Sequence, residues 1–114
     1  MNKLLLCLVI VGLASCSKDE VHDAGATAQG QEACANLAKF SEQAMGYHQS
    51  NVLMDDVFKE VDTMANVPSG SKQLLKDIVM EAYKQPVFTD QSFRDRQRVD
   101  FANDVHLKCL ESVK

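Results

Sequence analysis

The chain is 114 residues long, carries a formal net charge of −4, and is 46% hydrophobic with 25% charged residues and four cysteines. That length suits one small domain, and the acidic balance argues against nucleic acid or an anionic lipid surface as a partner. Apolar content and charge are both ordinary for a folded chain rather than a disordered one.

Residues 1–15 form the first element. Met1-Asn2-Lys3 supplies one cation, and Leu4 to Leu13 is almost wholly apolar. A cation followed by roughly ten apolar residues is the layout of a secretory signal peptide. At about 1.5 Å of helical rise per residue, Leu4 to Ala14 falls far short of a bilayer core about 30 Å thick. Residues 1–15 are therefore expected to be a cleaved signal rather than a membrane span.

At the end of this stretch, Leu13-Ala14-Ser15-Cys16 run aliphatic, small, small, cysteine. This resembles the lipobox of bacterial lipoproteins. The resemblance implies a diacylglycerol on the Cys16 thiol, cleavage before Cys16, and an acyl chain on the new amine. Two or three acyl chains anchor stably where one is marginal. The resemblance also implies a place in the bacterial cell envelope. Ser17, where an aspartate would favour the inner membrane, suggests the outer membrane, with the domain facing the periplasm. The alternative is an ordinary secretory signal that leaves Cys16 as a thiol.

Residues 16–30, the lipidated N-terminus and "SKDEVHDAGATAQG", are small and polar without apolar periodicity. They read as a flexible tether. The folded domain is expected over residues 31–114.

Cleavage removes Cys7 and lipidation occupies Cys16, so Cys34 and Cys109 remain. In an oxidising compartment they are expected to pair, closing a loop of about 75 residues. The competing reading is a three-ligand metal site, with Cys34 joined to His106 and Cys109 of an H-x-x-C spacing.

From Gln31 the pattern is helical. Cys34, Leu37, Ala38, Phe40, Ala44 and Met45 recur at steps of three and four, predicting a first helix to about His48. Ser50 or Asn51 then sits in the turn. A second helix is expected over Val52 to Asn66, with Leu53, Val57, Val61 and Met64 on one face. "VPSGS", residues 67–71, breaks it, and Ser71 is a candidate N-cap. The third helix runs from about Lys72 to Gln85, with Leu74, Leu75, Ile78, Val79, Ala82 and Tyr83 as its stripe. Pro86 ends it. Thr89 or Asp90 caps a fourth helix whose inward face is Phe93, Phe101 or Ala102, Val105 and Cys109, with Arg94 and Arg98 outside. No alternating run reads as strand. The expectation is an all-α bundle of about four helices, with the first and last antiparallel and joined by the disulfide.

No catalytic signature is present: there is no G-x-S-x-G, H-E-x-x-H or C-x-x-C, and the glycines form no phosphate loop. No catalytic residue and no cofactor beyond the lipid on Cys16 is assigned. Two segments are candidate partner-binding sites. "FRDRQR" holds the chain's three arginines, Arg94, Arg96 and Arg98, beside an aromatic residue, and such residues favour interfaces. "GYHQSN" presents Tyr47 and His48 at a helix end. A solvated helix start and a plain connection are the simpler readings of the two. The methionines read as core filling.

The cysteine-bearing helices "EACANLAKFSEQAM" and "FANDVHLKCLES" behind a tether resemble small helical lipoproteins of Gram-negative bacteria and their phages. That resemblance implies an envelope protein as partner. Within it, the alternative is a superinfection-exclusion factor acting on an outer-membrane receptor. A small-ligand or metal carrier with a pocket between helices is the other alternative.

Overall fold

The computed structural model describes residues 20–113, and the expected signal peptide and lipidation site, residues 1–15 and Cys16, lie outside the described residues. Four helices follow in chain order: α1 (Glu20–Gln49), α2 (Met54–Asp62), α3 (Ser69–Tyr83) and α4 (Gln91–Ser112). The all-α expectation is met, with no strand among the described residues.

Helix α1 is the axis of the domain. It packs most extensively on α4 and next on α3, while α2 leans chiefly on α3. Cys34 and Cys109 form the disulfide, with Cα atoms 5.5 Å apart. Further along, Glu42 of α1 meets Arg98 of α4, and near the other end Gly30 approaches Val113. Residue numbers rise on α1 as they fall on α4, so the two run antiparallel, as the cysteine pairing requires.

The core lies where α1, α3 and α4 converge, with α2 contributing Val57. Ala44, Met45, Val57, Ile78, Val79, Ala82 and Phe101 form one buried cluster. Met45 and Val79 are fully buried, and each such side chain contributes about 1.5–3 kcal/mol relative to exposure. Leu37, Phe40, Val52, Tyr83 and Val105 pack around it.

Several boundaries differ from the sequence reading. Helix α1 begins at Glu20, not Gln31, so most of the expected tether is helical. The segment is rich in alanine, a strong helix former, and no proline interrupts it. Helix α2 is shorter than Val52 to Asn66. Thr63 caps it in place of continuing it, its hydroxyl donating to the Glu60 carbonyl at 2.8 Å. Asn66 then adopts φ 63°, a left-handed conformation that asparagine tolerates and helices do not continue through. Helix α3 starts before the expected Ser71, with Pro68 at its N-cap. Proline suits that boundary because it has no backbone N–H to leave unpaired. The helix closes at Tyr83, two residues before Gln85. Asp90 caps α4, accepting from Ser92 N and Phe93 N.

One face was misread. Phe93 is 51% exposed and meets Phe88 edge-on, with ring centroids 6.0 Å apart. The stripe that faces α1 is instead Arg94, Arg98, Phe101, Val105 and Cys109, spaced by four, three, four and four. Arg94 and Arg98 were expected outside, yet both are half-buried on that stripe.

Candidate functional site

Where α1 ends and α4 begins, the core stripe becomes polar. A groove of about 650 Å³ opens there, lined by Glu42, Gly46, Tyr47, Gln49, Arg94 and Arg98 among others. Gly46 makes room for it. A Cβ built on Gly46 would stand 3.6 Å from the Arg98 Cδ, so the arginine stem lies directly against the bare backbone of α1. The Arg98 guanidinium donates to Glu42 Oε2 at 3.1 Å and to Asp95 Oδ1 at 3.3 Å. Arg94 Nη2 donates to Gln91 Oε1 at 2.6 Å. Arg98 is thus held by two carboxylates, while Arg94 is steered by a neutral amide and, among the described residues, makes no close ion pair, only a weaker attraction to Asp90.

Tyr47 closes the other side of the groove. Its hydroxyl donates to Glu60 Oε1 of α2 at 3.1 Å. That hydrogen bond, followed by the carboxylate's charge, holds the Tyr47 phenol above its ordinary pKa. An aromatic face beside two guanidiniums is a common composition of protein contact surfaces.

The five candidate binding residues separate into two groups. Tyr47, Arg94 and Arg98 converge on the groove, although two sequence segments supply them. Arg96 is exposed and is not among the groove residues. His48 has a structural task. Its Nε2 lies 2.6 Å from the Gln85 carbonyl oxygen, and because a carbonyl only accepts, that nitrogen carries the proton. Its ring also rests on Tyr83, with centroids 4.4 Å apart.

Gln49 escaped the sequence reading. It is 2% exposed. Its Nε2 donates to the Pro86 carbonyl at 2.7 Å and its Oε1 accepts from Phe88 N at 2.9 Å. Together with His48 it clamps the segment between α3 and α4 onto the end of α1. This clamp sets the direction in which α4 starts, and so the place of Arg94. A signal was available: Gln49 falls four residues after Met45 on the apolar stripe, where a polar residue needs partners.

The expected disulfide excludes the thiolate metal site in this state, because Cys34 and Cys109 are bonded to each other. Among the described residues, no group of three histidine, cysteine or acidic side chains is placed to hold a metal ion. His106 is half-buried on α4. The disulfide points to an extracytoplasmic compartment. No described helix is long and apolar enough to cross a membrane. No family model, curated protein or solved structure matches the chain.

Proposed function

We propose that the chain is a lipid-anchored interaction module of the bacterial envelope, which binds another envelope protein through the polar groove between α1 and α4. The observation that carries this reading is the convergence of Tyr47, Arg94 and Arg98 in one groove. Arg94 is held by a neutral amide and is the natural contact for a partner carboxylate, since its planar fork matches that group. The lipid anchor rests on the lipobox-like Leu13-Ala14-Ser15-Cys16. An extracytoplasmic disulfide and a small stapled domain agree with a protein held in the envelope.

Two measurements test the two halves separately. Metabolic labelling with a palmitate analogue should tag the wild-type chain and leave Cys16→Ala unlabelled and released from membranes. Equal labelling of both removes the anchor from the proposal. In-cell crosslinking through a photoreactive residue at Gln43, on the groove wall, should yield one reproducible adduct. Arg94→Glu should reduce that adduct severalfold, whereas Arg96→Glu should leave it intact. An adduct insensitive to Arg94→Glu, or no adduct at all, sinks the groove as the contact surface.

A further inference from the structure

A second groove lies on a different side of the bundle, between α3 and α4, with α1 as its floor. Helices α3 and α4 both pack on α1 and scarcely touch each other. The channel between them, about 480 Å³, has Leu37, Ile78, Phe101 and Val105 in its lining. Along α3 and the turn that follows it one wall runs from Leu74 to Gln85, and along α4 the other runs from Phe101 to Ser112. At about 1.5 Å per residue, either wall is about 17 Å long, or three helical turns. Leu74 stands on its edge and is 48% exposed, an apolar side chain that the domain itself does not cover.

The rim has a sign. Asp77 and Glu81 line the α3 side and Asp104 lines the α4 side, against one lysine, Lys108. Lys108 is already bound to Asp104 at 3.1 Å. Among the described residues Glu81 meets only the exposed Lys84, and Asp77 has no cationic partner. The groove is therefore apolar along its floor and acidic along its edge.

We propose that this groove receives a three-turn amphipathic helix of a partner protein, with an apolar face and lysine or arginine on its flanks. Its length matches the walls, its apolar face would cover Leu74 and Ile78, and its cations would meet Asp77 and Glu81. A helix so placed would lie against both α3 and α4, in the manner of an amphipathic helix laid in a hydrophobic groove. Cys109 and Ser112 lie at one end of the channel, so the disulfide fixes the α4 wall to α1 there. This surface is separate from the polar groove, and either can fail without the other.

The test is fluorescence anisotropy on the full chain with two labelled twelve-residue helical peptides. They share a leucine face and carry either lysine or glutamate on the flanks. The lysine peptide should bind and the glutamate peptide should not, with binding weakening as salt rises. The double variant Asp77→Lys/Glu81→Lys should weaken the lysine peptide about tenfold, the scale expected when two rim charges turn from attraction to repulsion. Leu74→Glu should abolish binding. Both substitutions are at exposed positions, and circular dichroism verifies that the variants remain folded. Equal binding of the two peptides, or binding of neither, overturns the proposal. So does self-association that Leu74→Glu removes, because the occupant is then a second copy of the chain.

Discussion

Gln49 and the two tyrosines show what single side chains contribute here. The Gln49 amide satisfies Pro86 O and Phe88 N from a buried position. Gln49→Ala would strand both groups, and unsatisfied groups of this kind cost about 1–3 kcal/mol. A urea titration should show that loss, while Gln43→Ala, at an exposed neighbour, should stay within about 0.5 kcal/mol of wild type. The tyrosines make a prediction about pH. Burial, then the Asp56 charge, raises the Tyr83 phenol, and the Glu60 hydrogen bond raises Tyr47. The folded state thus holds both protons more tightly than the unfolded state. That contribution is complete below the ordinary tyrosine value of about 10 and is lost as pH rises through the folded values. Urea midpoints should therefore fall as pH rises past about 10. Tyr83→Phe should flatten part of that decline, and in neutral solution it should cost about 1 kcal/mol for the lost bond to Val52 O. Residues of this kind were the least legible. Tyr47 and His48 stood out as a pair from composition, yet only the packing of α2 and of the 84–90 segment separates a groove residue from a clamp.

At the scale of the helix, the caps and glycines decide most. The Asp90 carboxylate is held below its usual pKa by the Ser92 hydroxyl, then by the Ser92 and Phe93 N–H groups, with the Arg94 charge adding a little. A depressed folded value means that its contribution is present above the unfolded pKa and disappears as pH falls through the folded one. Asp90→Asn keeps a capping oxygen without the charge. Wild type should exceed Asp90→Asn in urea midpoint at neutral pH, and the gap should close on acidification below about pH 4. Gly46 and Gly30 make a matched pair within α1. Alanine at Gly46 meets only the Arg98 stem at 3.6 Å, so the helix-propensity gain of about 0.8–1 kcal/mol should appear nearly whole. At Gly30 the new Cβ would come within 3.1 Å of Val113 Cγ2, and the crowding should consume most of the gain. Comparing the two variants by thermal melting checks this. Helix number and order and most core positions could be read from the sequence because apolar spacing of three and four survives any tertiary context. But Leu53 and Leu74, expected on the stripes of the second and third helices, are 70% and 48% exposed, Leu53 because it precedes α2 as its N-cap. The helix ends could not be read. Nothing in "EVHDAGATAQG" is apolar enough to show periodicity, so its alanines counted for too little. The α4 face was misassigned because Phe93 outweighs Arg94 on any hydropathy scale. Arginine stems bury well against a glycine, and Gly46 gave no sign that it lay opposite.

For the molecule as a whole, the Cys34–Cys109 bond joins residues 75 apart in sequence and encloses nearly all of the described fold except the start of α1. In the chain-entropy account, a loop of that length restricts the unfolded state by about 4.5 kcal/mol. A small domain has a total stability of about 5–15 kcal/mol, so the staple is a large share of what keeps this one folded. The Cys34→Ala/Cys109→Ala variant should lose about 2–5 kcal/mol in urea titrations, and wild type in excess dithiothreitol should behave like it. The loss should also be uneven. Near the disulfide, α1 and α4 are held by Gly30 against Val113 and by the edge of the apolar channel. At the far end they are held by Arg98 with Glu42, and by Gln49 and His48 on the 85–88 segment. Hydrogen exchange on the reduced protein at low urea should therefore show the last two turns of α4 opening first, while amides near Phe101 and Met45 remain protected. The apolar channel shares Cys109 and Ser112 with the part that frays; the polar groove shares nothing with it. Reduction should accordingly weaken binding of a basic helix in the channel more than it weakens the contact through Arg94. If both declined together, the bundle would be opening as one unit and the two grooves would not be mechanically separate.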